Sequence, residues 1–225
     1  MQATKEALAE SARTTPDGAT TIGTVGLETA PSWLSDRLRE GSHAGSSRAY
    51  ALAREQFIAG RRIDMSALAA DLGVDRTSLF RWVGNRDALL SEVLWSLAVP
   101  TLIQAEAATN RLTDEERVAG VLTHFVGDLI GASYFRQFLR REPARALRLL
   151  TTTESEIQRR YVATTEWLVR RELGDMPLGG AIDPAALAYL LVRISESFSY
   201  SDLIAGDEPS TERAAVAFRL LLRVG

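Results

Sequence analysis

The chain has 225 residues, 46% of them hydrophobic and 24% charged, with a formal net charge of −3. This is enough apolar material for a sizeable core in one or two domains, and the balance is that of an ordinary globular protein. The absence of Cys excludes a disulfide framework, a Cys-based zinc site and thiol chemistry. The slight acidity argues against binding nucleic acid through bulk charge, though one basic face would suffice for specific binding. No apolar run reaches the roughly 18 residues needed to cross a bilayer, and the N-terminus lacks the apolar segment of a secretory signal, so the expected location is the cytoplasm. Lys5 is the only Lys; every other basic residue is Arg, a bias expected of a GC-rich bacterial genome.

Residues 1–45 are rich in Ala, Ser, Thr and Gly and read as a flexible extension. Two pieces stand out. Thr4 to Ala12 can form a short helix. Ser32 to Glu40 places Trp33, Leu34 and Leu38 near one helical face and Arg37 and Arg39 towards the other, as in a helix patching a domain surface. An arm contacting DNA through Arg37, Arg39 or Arg48 is the functional alternative. Ser46 to Gly60 is the first helix of a domain spanning 46–97, with Ala49, Leu52, Ala53 and Phe57 at helical spacing.

Met65 to Leu90 is the most informative stretch. Apolar residues fall at Leu68, Leu72, Val74, Leu79 and Trp82, and Ala69 is small where two helices must cross. Gly73 sits where a first helix ends, in the left-handed conformation that Gly adopts without steric cost. Asp75 caps the next helix at the end where the dipole favours an anion. The pattern is a helix-turn-helix, whose second helix enters the DNA major groove; an ordinary helical hairpin is the alternative. Arg76, Arg81 and Arg86 fall in a stretch without a single acid.

The segment after Gly73 resembles the end of the DNA-binding domain of TetR-family regulators. The likeness rests on Leu79-Phe80, Val83, the Gly84-Asn85 turn, Arg86 and Ala88-Leu89-Leu90, and extends over about Arg48 to Leu97. It implies an all-α protein with an N-terminal three-helix DNA-binding domain and a larger helical domain for ligand binding and dimerisation. It further implies Arg48, Ser66, Arg76, Thr77, Ser78, Phe80, Arg81 and Arg86 as DNA contacts, with Arg86 on a phosphate. The family commonly has Tyr where Phe80 stands, so a phosphate bond from that hydroxyl is missing here. The family also starts much closer to its first helix, which makes the N-terminal extension a departure.

Beyond Leu97 the expected domain covers 98–225. The helix from Arg86, capped by Asn85, is expected to end near Ala98, with Pro100 breaking the chain. Thr113 and Glu116 form a capping-box pattern. Pro143 divides the stretch around it into two helices, Glu154 to Glu172 is a long helix, and Asp183-Pro184 is a helix start. Helices at about 184–205 and 210–224 carry broad apolar stripes, and the resemblance implies that they pair with a second copy of the chain in a homodimer.

No phosphate-binding loop, nucleophile elbow or carboxylate pair stands out, and His124 beside Asp128 reads as a helix-surface histidine. The expectation is a non-enzymatic protein with no catalytic residue, metal or cofactor. Its partners are a palindromic double-stranded DNA operator and a small-molecule effector, with no membrane. Phe125, Leu129, Phe135, Phe138, Tyr161, Trp167, Arg193 and Phe198 are the expected pocket residues, within an aromatic cluster that also holds Tyr134 and Tyr200. The segment Phe138 to Ser155 is similar to regulators that control quorum-sensing-lactone degradation, which implies a lactone or acyl effector. A helical small-molecule-binding or catalytic protein that does not bind DNA specifically is the competing function.

Overall fold

A computed structural model describes residues 21–41 and 43–224. The expected helix at Thr4 to Ala12 lies outside them. Among the described residues there are helices and no strand. In chain order they are α1 (Ile22–Thr29), α2 (Trp33–Arg39), α3 (Ala44–Ile58), α4 (Met65–Asp71), α5 (Arg76–Val83), α6 (Arg86–Ala108) and α7 (Asp114–Gly131). They continue as α8 (Ser133–Arg141), α9 (Pro143–Thr151), α10 (Glu156–Leu173), α11 (Pro177–Gly180), α12 (Pro184–Ser199), α13 (Ser201–Ile204) and α14 (Thr211–Leu222).

Two apolar cores meet along α6. The head core collects Leu34, Ala49, Phe57, Leu68, Leu79, Val83, Leu89, Leu90, Val93 and Leu94, and it extends into Phe135, Phe138, Leu139 and Leu149 of α8 and α9. The rear core collects Ile22, Trp95, Leu102, Val118, Leu122, Phe125, Leu168, Leu191 and Phe218. A domain cut at residue 97 therefore divides the sequence but not the packing, because α8 and α9 share the core of the head.

Several helix boundaries fall where side-chain chemistry puts them. The Asn85 carboxamide oxygen accepts from Ala88 N at 2.8 Å, Asp183 accepts from Ala186 N at 2.9 Å with Pro184 next, and Ser210 accepts from Arg213 N at 3.2 Å. Pro143 opens α9 as expected. Thr113 occupies the N-cap of α7 without a side-chain cap bond, and Asp114 stands at φ 52°, so the expected capping box does not form.

Two expectations fail. Helix α6 does not stop at Ala98; it runs through Pro100 to Ala108. Interior Pro costs about 3 kcal/mol, but Leu102 and Ala105 are buried beyond it and reward continuation. By length and composition α6 could also cross a membrane, yet much of it is buried between the two cores. The second failure is the flexible reading of the N-terminal extension, while the expected helix at Ser32 to Glu40 forms as α2. Residues 22–39 form α1 and α2, with Ile22, Val25 and Leu34 buried against the rest of the chain.

Candidate nucleic-acid interface and effector cavity

The head is built around the α4–α5 turn. Asp64 caps α4, accepting from Ser66 N at 2.8 Å and Ala67 N at 2.9 Å, and those bonds hold its carboxyl below the ordinary range. Gly73 takes φ 68°, and the backbone folds back through Gly73 N to Ala70 O (3.0 Å) and Val74 N to Ala69 O (3.0 Å). Asp75 then caps α5: its carboxylate accepts from both Ser78 N and Ser78 Oγ, which lowers its pKa. Leu79 and Val83 are fully buried and fix the rotation of α5. Ser46 Oγ donates to Trp82 O at 2.8 Å, and the His43 ring packs on Trp82, so α3 supports α5 from behind.

This rotation turns Arg76, Thr77, Phe80 and Arg81 outward. Phe80 is 36% exposed, with the Arg76 guanidinium 5.3 Å from its ring centre. Arg62, Ser66, Arg76 and Phe80 share one surface hollow with Arg86 and Arg145 in its wall. A patch of cations around an exposed aromatic can meet phosphates and base edges.

Behind the head, α6, α7, α8, α9 and α10 enclose a cavity of about 60 Å3. Leu94, Trp95, Leu97, Phe125, Leu129, Phe135, Leu150 and Ile157 supply its apolar wall. Tyr134, Tyr161, Tyr200, Thr101 and Asp128 supply its polar groups, and Asp128 is the only charged lining residue among the described residues. The Tyr161 hydroxyl donates to Ser195 Oγ at 2.9 Å. Burial pushes the Tyr134, Tyr161 and Tyr200 phenols up, so all three remain protonated donors at neutral pH. The volume is far below the roughly 300 Å3 at which pockets for drug-sized ligands begin, so such a ligand fits only where the walls move apart.

Residues 113–223 match the family described as "Tetracyclin repressor-like, C-terminal domain". Among solved structures, the R. erythropolis transcriptional repressor QsdR from the TetR family is similar at 28% identity and a TM-score of 0.67, over 80% of this chain and 95% of that one. Residues 113–223 thus belong to the TetR C-terminal family, and the chain has the fold of a TetR-family regulator. No curated protein matches it. It thus has the helix-turn-helix head and helical rear of a family of ligand-responsive transcriptional repressors.

Measured against that family pattern, the structure sorts the expected DNA contacts. Ser66, Arg76, Thr77, Phe80 and Arg81 are exposed on α4 and α5, and Arg48 is exposed on α3. Ser78 is half-buried, and its hydroxyl is committed to Asp75. Arg86 is held within the protein. Its two terminal nitrogens each donate to Glu142 at 2.6 Å, and its Nε donates to Ile63 O at 2.5 Å. Arg62, on the same hollow, went unnoticed in the sequence because it precedes the helix-turn-helix; its only signal was a charge beside Ile63.

Of the expected pocket residues, Phe125, Leu129, Phe135 and Tyr161 line the cavity. The other four do not. Phe138 packs on Phe57 in the head core. Trp167 lies under Arg171 and Phe198 near Arg213. Arg193 pairs with Glu196 at 2.5 Å. Leu94, Leu97, Leu150 and Ile157 were missed as pocket residues, since an aliphatic stripe reads the same whether it faces a cavity or a neighbour.

Proposed function

We propose that this protein is a dimeric, cytoplasmic transcriptional repressor that binds a palindromic operator and is released by a small, neutral, largely apolar effector. The observation that carries this reading is that α6 is at once the last helix of the head and a wall of the cavity. A ligand that enlarges the cavity must move the helix on which the DNA-reading surface is mounted, which is the differential interaction an allosteric effector needs.

The lining chemistry supports the ligand class. The Tyr134 and Tyr200 phenols can donate to carbonyl oxygens, Tyr161 being committed to Ser195, and apart from Thr101 and Asp128 the rest of the wall is apolar. Among the described residues no cation lines it, so a buried carboxylate there would be left unpaired at considerable cost. Lactones, esters and amides with an acyl chain fit this lining better than fatty acids, in keeping with the likeness of Phe138–Ser155 to regulators of lactone degradation. Dimer formation through α12 and α14 is supported by the exposure of Tyr189, Leu190, Val216 and Leu220 on them.

Gel retardation with the DNA upstream of the protein's own reading frame tests the reading. Specific retardation at moderate salt, relieved by an acyl lactone or methyl ester but not by the matching acid, is expected. A folded dimer that retards no specific DNA would instead favour a ligand-binding protein without DNA function.

A further inference from the structure

The N-terminal segment 22–40 has no place in the function so far. It packs on α6 and α10, two walls of the cavity. Helix α1 rests on α6 and on α10 at the same time. A Cβ on Gly23 would come within 2.6 Å of Val99 of α6. One on Gly26 would come within 2.6 Å of Trp95 of α6 and of Arg160 O and Thr164 Oγ1 of α10. Only a residue without a side chain permits that approach.

The α1–α2 turn is then held by charge. Arg160 of α10 is fully buried. Its Nε donates to Ala30 O at 3.0 Å, and its Nη2 donates to Glu92 of α6 at 2.8 Å. The same Glu92 oxygen accepts from Ser32 Oγ at 2.5 Å. Thus Ala30, Ser32, Glu92 and Arg160 join the segment, α6 and α10 at one point. A buried guanidinium and a buried carboxylate are each costly unless paired, so the group holds together or fails as a unit. Trp95 lines the cavity and its Cζ2 stands against Gly26, while Tyr161, next to Arg160, lines the cavity from α10.

We propose that residues 22–40 are a strap that keeps α6 against α10, and so sets how readily the cavity opens. The segment's residues are positioning residues: none needs to touch the effector. Tightening the strap favours the closed state with the high DNA affinity, and loosening it favours the open one. Apparent ligand affinity scales with the fraction of protein that is binding-competent. The proposal rests on the reading of the cavity as the effector site.

The test uses the full chain, two variants and Nile red, a neutral apolar dye, as the probe. Ser32→Ala removes one bond of the clasp. Gly26→Ala wedges the strap away, although Ala itself favours the helix more than Gly does. Both variants are expected to bind Nile red about fivefold more tightly than wild type, the scale set by one net hydrogen bond; because the protein starts mostly closed, upstream DNA is expected to be held only slightly more weakly. A lower melting temperature with unchanged dye affinity overturns the proposal and leaves the strap a purely stabilising element. Absence of dye uptake by all three proteins overturns it as well. If wild type retards no DNA but the variants still gain dye affinity, the repressor reading fails and the strap stands. If wild type retards DNA and dye affinity is the same in all three, the reverse holds.

Discussion

Replacing Glu142 by Gln should loosen the head from the rear domain. Glu142 lies at the α8–α9 junction with its side chain 12% exposed, and it grips Arg86, itself 14% exposed, through two bonds of 2.6 Å. Arg145 at 3.2 Å and Arg62 at 3.8 Å share the same carboxylate. Exposed ion pairs contribute roughly 0.2–1 kcal/mol, whereas stripping one partner from a buried pair costs about 3–5 kcal/mol. This pair is near the buried end, but Arg86 keeps the Ile63 carbonyl and Arg145 keeps Asp87. We therefore expect a loss of about 2–3 kcal/mol, read as a lower denaturant midpoint at an unchanged slope. Acid supplies a second arm. Arg86, first among its neighbours, holds the Glu142 carboxyl below its ordinary value of 4.5. Its contribution is present above that value and disappears as pH falls through the lower folded value. Wild type and variant should thus converge in acid. Equal stability at pH 7, or a gap undiminished at low pH, would refute the reasoning. In the same assay series, Arg86→Ala should lose stability while leaving the salt slope of DNA binding intact; a slope reduced by about 1 unit would mean a phosphate contact after all.

Arg76→Ala and Arg81→Ala should each relax preference at one base position per half-site by about 1–3 kcal/mol, measured by binding to a randomised operator; uniform weakening would place them on the backbone instead. Leu220 is 75% exposed on α14, and Leu220→Glu should shift the protein to a monomer by light scattering with loss of operator binding. Burial raises the Glu196 carboxyl from 4.5 to about 7, with Arg193 opposing. Its stabilisation is therefore full below about pH 4.5 and lost as pH rises through about 7, so Glu196→Gln should flatten the fall in stability across that window.

The parts of the molecule legible in the sequence are those fixed by neighbours in the chain. Gly73 and Asp75 make the turn of the head with partners no more than five residues away, and Asp183-Pro184 starts α12 in the same manner. What was not legible depends on distant partners. Arg86 looks like a phosphate contact until Glu142, 56 residues on, claims it. Arg160 and Glu92 are separated by 68 residues, and neither carries a sign of burial. Residues 22–40 have a composition that reads as solvated, yet glycines allow the close approach that stands in for large apolar side chains. Pro100 is a local breaker overruled by burial further along α6.

The geometry also limits how a signal can travel. Leu94, Trp95 and Leu97 of α6 face the cavity. Nearer its start the same helix carries Arg86 and Asp87, which Glu142, Arg145 and Arg148 of α9 and its entry hold. Helices α8 and α9 also face the cavity, through Phe135 and Leu150. Both ends of the ion-pair cluster are therefore mounted on cavity walls. If α6 alone moved, those pairs would stretch. If α6 moved together with α8 and α9, they would survive and carry the head along as one body. The second motion keeps partly buried charges paired and is the less costly. In the proposed opening this motion parts α6 from α10, so the fully buried pair of Arg160 and Glu92 across that face sets its cost.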